Sequence, residues 1–178
     1  NGKATEGKFY KLTADIVLNT KITAMAQQWY STTTTDKNAG FSGYFDGNGH
    51  TVSGIFILNT NGSGGLFSKM FTGATVKNVG IVNSSITASD AGAIAGTVTY
   101  VEGKEVNIQT CFADETVKIT AGSNGGGLVG GTGGDLNITN CYSLATLSGK
   151  NIGGIIGQQW VRDVNITGCY TNYNKLWG

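Results

Sequence analysis

The sequence predicts an all-β fold, a right-handed parallel β-helix (β-solenoid) of about six coils. The first observation is compositional, because 29 of the 178 residues are glycine and none is proline. Glycine supplies backbone corners with positive φ, and a chain without proline suits a fold in which nearly every N–H donates in a strand ladder. The second observation is an internal repeat, and the third is an alternation of apolar and polar residues within that repeat.

The repeat is a short motif made of a small residue, a glycine, two apolar residues and another small residue. Its four copies occupy residues 64–68, 91–95, 126–130 and 153–157. The central glycines, Gly65, Gly92, Gly127 and Gly154, are 27, 35 and 27 residues apart. Intervals of this length are typical of solenoids, in which each repeat builds one coil.

A second segment follows each motif copy and alternates as a strand does. Its two aligned apolar positions are Ala74, Val106, Leu136 and Val164, then Val76, Ile108, Ile138 and Ile166. The next apolar position comes one residue later than alternation requires, at Val79, Cys111, Cys141 and Cys169. A corner at Asn78 or Asn140 explains this shift, because Asn tolerates the left-handed backbone of a sharp bend. Strand, corner and strand are the expected components of a coil.

The whole chain, residues 1–178, is predicted to be a single solenoid domain, with irregular coils and a cap in 1–63 and four repeats in 64–178. Ile22, Met25, Ala26 and Trp29 have helical spacing and predict a short capping helix over the exposed end. Residues 48–49, Asn-Gly, are a hairpin signal, so local antiparallel pairing is an alternative there. A chain that starts at Asn1 is expected to be a fragment of a longer protein.

Charge and hydropathy argue against several classes of function. The net charge is +1 and only 13% of residues are charged, without basic blocks, so nucleic-acid binding is not expected. No apolar stretch reaches the roughly 18–20 residues of a membrane span, so membrane insertion is not expected either.

Neither catalytic residues nor a metal or cofactor site is predicted. Glycosidases need paired carboxylates, and the candidates do not recur at one position of the repeat. These candidates are Asp46, Asp90, Asp114, Glu115, Asp135 and Asp163. His50 stands in a turn-like segment without the partners of a zinc site.

The three cysteines share one position of the repeat. Side chains stacked in successive coils have Cβ atoms about 4.8 Å apart, which exceeds the roughly 3.8 Å of a disulfide. We therefore expect three free thiols that fill the core. Phe112, Tyr142 and Tyr170 follow them as an aromatic column, which is expected to pack on the surface.

The strongest candidate for a ligand-binding site is the connection between a motif copy and its second segment. The second repeat is lengthened there and contains Tyr100 and Lys104, and the fourth contains Gln159, Trp160 and Arg162. Solenoid insertions project from one face, where exposed aromatic residues can anchor a partner. The third repeat has only glycines there, which predicts a shallow notch. The alternative is that Trp160 merely covers the core.

The segment Gly127-Leu128-Val129-Gly130 resembles the GLUG-motif family of bacterial repeats, as does the glycine-rich segment 45–54. The segment 154–157 matches the motif approximately. The resemblance implies a non-catalytic adhesion or binding module, secreted or on the bacterial surface, whose partner is a host or cell-surface glycan or protein. Two alternatives remain, a structural spacer and a pectin-lyase-like carbohydrate-active enzyme. The sequence leaves the oligomeric state open.

Overall fold

The structure is a computed structural model that describes residues 5–28, 40–71, 73–160, 162–172 and 176–177. Within these ranges the regular elements are 21 β-strands, and no helix forms. The strands form four sheets in which neighbouring strands run parallel. The all-β parallel β-helix predicted from the sequence is therefore confirmed.

Each face of the solenoid is one sheet, and we name the four sheets A to D. Sheet A contains β1 (Phe9–Lys11), β3 (Tyr44–Asp46), β7 (Thr75–Lys77), β11 (Val106–Gln109), β15 (Leu136–Thr139) and β19 (Val164–Thr167). Sheet B contains β2 (Ile16–Val17), β4 (Thr51–Ser53), β8 (Gly80–Val82), β12 (Phe112–Ala113), β16 (Tyr142–Ser143) and β20 (Tyr170–Thr171). Sheet C contains β6 (Phe67–Phe71), β10 (Ala95–Thr99), β14 (Val129–Thr132) and β18 (Ile156–Gln159). Sheet D contains β5 (Phe56–Gly64), β9 (Ser85–Gly92), β13 (Lys118–Gly126), β17 (Thr146–Gly153) and β21 (Leu176–Trp177).

The chain visits the sheets in the order A, B, D, C and then returns to A. Four turns are complete, namely β3–β6, β7–β10, β11–β14 and β15–β18. A partial coil precedes them with β1 and β2, and another follows them with β19 to β21. The expected six coils are thus four complete turns with an incomplete coil at each end.

The core consists of columns of inward side chains, one from each coil. In sheet A, Val76, Ile108 and Ile138 are aligned by strand register and are 0% exposed. Burial of each such side chain stabilises the fold by roughly 1.5–3 kcal/mol. The column ends at Ile166, which is 47% exposed because it lies in the incomplete last coil.

The corners between sheets A and B have the left-handed backbone that the shifted apolar position predicted. The φ angles are 53° at Asn78, 54° at Asn140 and 64° at Gly168. Thr110 occupies the same corner with φ 52°, although a β-branched residue is disfavoured there. The cysteines that follow these corners are free, and Cys111 and Cys141 are buried. Both the corners and the free core thiols agree with the sequence-based expectations.

The register of the motif copies differs from the sequence alignment by one residue. Gly92 pairs with Gly126, rather than with Gly127, and Ala95 pairs with Val129. The third copy begins within a run of three glycines, residues 125–127, and without side chains a glycine run gives no indication of which residue points inward. The alignment of the second copy with the third was therefore wrong by one position.

The predicted capping helix does not form in the described residues. Residues 22–28 contain only a turn, closed by a 2.9 Å hydrogen bond from the N–H of Ala26 to the carbonyl of Thr23. Met25 is 95% exposed, so the helical spacing has no apolar surface to pack against, and a single turn does not repay helix nucleation. Trp29, the last residue of that pattern, lies outside the described residues.

The Asn-Gly hairpin is also absent. Asn48 and Gly49 have φ 55° and 82°, and they turn the chain from β3 in sheet A to β4 in sheet B. Each of these strands pairs in parallel with strands of neighbouring coils. The same positive-φ pair that suits a hairpin also suits a solenoid corner, and the long-range ladders determine which one forms.

Candidate functional site

The candidate residues lie where sheet C turns into sheet A, just beyond the ends of three stacked strands. Tyr100 follows β10, Gly133 follows β14 and Trp160 follows β18. Hydrogen bonds from Gly133 N–H to the Val98 carbonyl and from Trp160 N–H to the Thr132 carbonyl, both 3.0 Å, extend the ladder to this point. Three successive coils therefore meet in one place. We name the group formed by Tyr100, Gly131, Gly133, Trp160 and Arg162 the corner site.

The indole of Trp160 lies across glycines of the preceding coil. A Cβ atom placed on Gly131 would lie 2.6 Å from Cη2 of the indole, and one on Gly133 would lie 3.5 Å from Cε3. The six-membered ring thus fills the notch that the glycines were predicted to leave open. Trp160 nevertheless remains 47% exposed, so it covers the backbone with one part and presents the rest to solvent.

The guanidinium of Arg162 stacks on the ring of Tyr100. Its central carbon is 3.6 Å from the ring centroid, which is a close cation–π contact. Arg162 comes after β18 and Tyr100 after β10, so the pair bridges the glycine-bearing coil between them. Among the described residues, no carboxylate forms an ion pair with Arg162.

The other two candidates differ in their surroundings. Gln159 is exposed, and its side-chain amide donates a hydrogen bond to the backbone carbonyl of Arg162. Lys104 points away from the corner site, because its Nζ is 2.7 Å from Oε1 of Glu6 and its stem lies against Gly73. The structure therefore brings Tyr100, Gln159, Trp160 and Arg162 to one corner and places Lys104 against the earlier coils.

A column of carboxylates was missed in the sequence. The column consists of Glu105, Asp135 and Asp163, which directly precede β11, β15 and β19. The N–H of Val106 donates to the carbonyl of Asp135, and the N–H of Leu136 donates to the carbonyl of Asp163, so the acids occupy the same position in successive coils. The expectation that no carboxylate recurs at one position was thus wrong. Extending the alignment of the second segments by one residue would have revealed this column.

The carboxylates of this column bond to the neighbouring coil. Oδ1 of Asp135 accepts from the N–H of Asp163 at 3.2 Å, and Oε2 of Glu105 accepts from the side-chain amide of Asn137. In the described ranges, no three His, Cys, Asp or Glu side chains are grouped so that they could hold a metal ion. These contacts connect adjacent coils and are structural.

The aromatic column on sheet B is a continuous stack. Ring centroids are 5.0 Å apart between Phe112 and Tyr142, and 4.9 Å apart between Tyr142 and Tyr170. Burial and, to a lesser degree, the neighbouring Tyr170 raise the pKa of Tyr142. Because the rings cover one another's faces, this column packs along the coils, as the sequence predicted.

The turn after β3 holds two polar contacts. Oδ1 of Asp46 accepts from the Asn48 N–H at 2.8 Å and from the Asn78 side-chain amide at 3.0 Å, and these bonds lower the pKa of Asp46. Nδ1 of His50 lies 3.4 Å from Oδ1 of Asp15. These contacts connect the turn to neighbouring coils.

Comparison with known proteins gives two similarities. No family model matches the chain, so the GLUG resemblance rests on the motif residues alone. Halomucin from Haloquadratum walsbyi is 30% identical over 154 residues, which is 83% of this chain and 2% of halomucin. A crystal structure described as that of a candidate immunoglobulin A1 protease from Bacteroides ovatus matches with a TM-score of 0.56 at 21% identity, and covers 94% of this chain and 60% of that one.

The chain thus spans a very small part of halomucin and less than two thirds of the matched structure. At this identity the structural likeness shows the fold alone. The described residues contain no helix with the length and apolar character required to cross a membrane.

Proposed function

We propose that this chain is a non-catalytic extracellular module that recognises its ligand through the corner site. The similarity to halomucin supports a location on the cell surface or outside the cell. The observation that carries the proposal is Trp160, a large aromatic side chain that is 47% exposed and precedes by two residues an arginine that contacts the Tyr100 ring. Trp, Tyr and Arg are the residues that most often dominate binding energy at protein surfaces.

The corner site is also preorganised. The indole rests on glycine backbone, the Arg162 guanidinium rests on Tyr100, and the Gln159 amide holds the intervening loop. Side chains that are already ordered lose little conformational entropy when a ligand binds, so more of the contact energy appears as affinity. A site of this kind needs no movement of the coils.

Binding to a glycan array and to extracellular-matrix proteins tests the proposal. Trp160→Ala is expected to lower affinity about thirty-fold or more, the effect of truncating an aromatic hot spot. Gly131→Ala keeps the tryptophan but places a methyl group 2.6 Å from the present position of Cη2, so it should displace the indole and weaken binding.

Tyr170→Ala is the matched control, because it removes a 58% exposed aromatic residue from sheet B, away from the corner site. Binding should survive this change. Equal losses in Trp160→Ala and Tyr170→Ala, with both variants folded by circular dichroism, would contradict a site at the corner.

A structural spacer is the second candidate, and the packing of the Trp160 indole on Gly131 favours it. In that case Trp160 protects backbone hydrogen bonds, and Trp160→Ala lowers the melting temperature. The spacer requires that no ligand in either screen binds the folded wild-type protein. Binding that depends on Trp160 excludes the spacer as the complete function.

A further inference from the structure

We propose that the corner site recognises a saccharide with a carboxylate, in which the carboxylate pairs with Arg162 and the sugar ring packs on Trp160. This inference rests on the function proposed above and specifies the chemical class of the ligand. It follows from three properties of the site. These are the exposed guanidinium of Arg162, the exposed part of the Trp160 indole and the carboxylates of the neighbouring residues.

Arg162 offers a cation that has no ion-pair partner within the described ranges. The central carbon of its guanidinium lies 3.6 Å from the centroid of the Tyr100 ring, and the side chain is exposed to solvent. Two parallel N–H groups match the two oxygens of a carboxylate. Among the described residues no acidic side chain pairs with this guanidinium, although the other ion pairs in those ranges bring Lys77 to Asp46 and Lys104 to Glu6. The exposed Arg162 guanidinium is therefore available to a carboxylate of a ligand.

Trp160, two residues before Arg162, offers an exposed apolar surface. Glycine backbone supports its indole from below, and about half of the side chain faces solvent. The π face of an indole is negative, so it attracts the partly positive C–H groups on one face of a sugar ring.

Neighbouring carboxylates limit the charge of the ligand. Asp163 follows Arg162 in the chain, and its N–H donates to Oδ1 of Asp135 at 3.2 Å. These two acids border the site and would repel a densely charged polyanion. A neutral sugar, in contrast, would leave the Arg162 guanidinium without a partner. A sugar with a single carboxylate, such as a uronic or sialic acid, satisfies both conditions.

Matched pairs of ligands test this inference. Isothermal titration calorimetry or surface plasmon resonance would compare oligogalacturonate with its methyl ester, and sialyllactose with lactose, and heparin would serve as the dense polyanion. We expect the wild type to bind at least one acid about tenfold or more tightly than its neutral partner, with an affinity that falls as salt is added. The pair that shows the difference identifies the acidic sugar.

Variants assign the preference to Arg162. Arg162→Gln should bind the acid and the neutral partner alike, and Arg162→Lys should keep only part of the preference, because an ammonium lacks the planar fork. Tyr100→Leu removes the stack and should reduce the preference for the acid, whereas Tyr100→Phe should retain it.

The outcomes separate the two proposals. Equal binding of acid and neutral partners by the wild type overturns the acidic-sugar inference and leaves ligand recognition at the corner site intact. A preference that persists in Arg162→Gln, or tightest binding to heparin, also overturns it. Binding only to a matrix protein overturns the saccharide class alone, and binding to nothing in either screen overturns both proposals.

Discussion

Ile138→Ala tests whether the stacked columns are the main source of stability. Ile138 points inward from β15, lies between Ile108 and Ile166 in the same column, and is 0% exposed. The backbone ladders hold the coils about 4.8 Å apart, so the neighbours cannot close the space that the removed atoms leave. Truncating a buried isoleucine to alanine costs about 2–5 kcal/mol, and a site that cannot collapse belongs in the upper half of that range.

Ile166→Ala is the matched control, because it makes the same chemical change one coil later in the same column. Ile166 is 47% exposed, so truncation removes about half as much buried surface and leaves an open groove rather than a cavity. Half of the roughly 1.5–3 kcal/mol for a fully buried side chain predicts a loss of about 1 kcal/mol. The two variants should therefore differ by at least about 2 kcal/mol.

Equilibrium unfolding in urea, followed by far-ultraviolet circular dichroism, measures both values. The midpoint should shift much further for Ile138→Ala, with the same m-value in both variants. An unequal m-value would mean that coils unfold separately, as solenoids allow. Equal free-energy losses, or a larger loss for Ile166→Ala, would refute the reasoning that burial in the column sets stability.

Three further predictions concern individual side chains. Thr110→Asn should raise the melting temperature, because it removes a β-branched residue from φ 52° and thereby relieves about 1 kcal/mol of backbone strain, whereas the neighbouring Thr139→Asn should not. Ellman's reagent should find three thiols in denatured, unreduced protein, but only the half-buried Cys169 should react in the folded state, since Cys111 and Cys141 are buried and closed to the reagent. Asp46→Asn should destabilise the protein at neutral pH, because hydrogen bonds from Asn48 and Asn78 lower the pKa of Asp46 in the folded state. That contribution is present above the unfolded pKa of about 3.9 and is lost as the pH falls through the lower folded value, so the difference between variant and wild type should vanish in acid.

The predictable parts of this fold are those that repeat a side chain. Ile108 and Ile138 showed which residues share a column, and Asn78 and Asn140 showed where the coil bends, because each position recurs with a recognisable side chain. The glycine run at 125–127 was aligned correctly with the fourth copy but wrongly with the second, since glycine does not reveal which face it occupies. The Asn-Gly pair at 48–49 suits two kinds of turn, and only the parallel pairing of distant strands distinguishes them.

The candidate site was predicted only in part for a related reason. The sequence placed aromatic residues and cations in the same connection. It also grouped Lys104 with Trp160, although the Lys104 side chain forms an ion pair with Glu6. The Trp160 indole packs where it does because Gly131 in the preceding coil has no side chain. The position of the Arg162 guanidinium depends on Tyr100, which lies two coils away. Contacts between coils depend on which residues of adjacent coils are aligned, and the sequence of a single repeat does not give that alignment.

The corner site therefore belongs to a stack of coils and not to one repeat. One coil supplies the aromatic platform of Arg162, the next supplies the glycine floor, and the third supplies Trp160 and Arg162 themselves. Because Arg162 leads into β19, whose core residue Ile166 is half-exposed, the site borders the incomplete last coil. Fraying of that coil would move Arg162 off Tyr100 and lower the fraction of molecules that can bind. Ligand bound across the corner would in turn hold the last coil in place, so recognition and the stability of the terminal coil are linked.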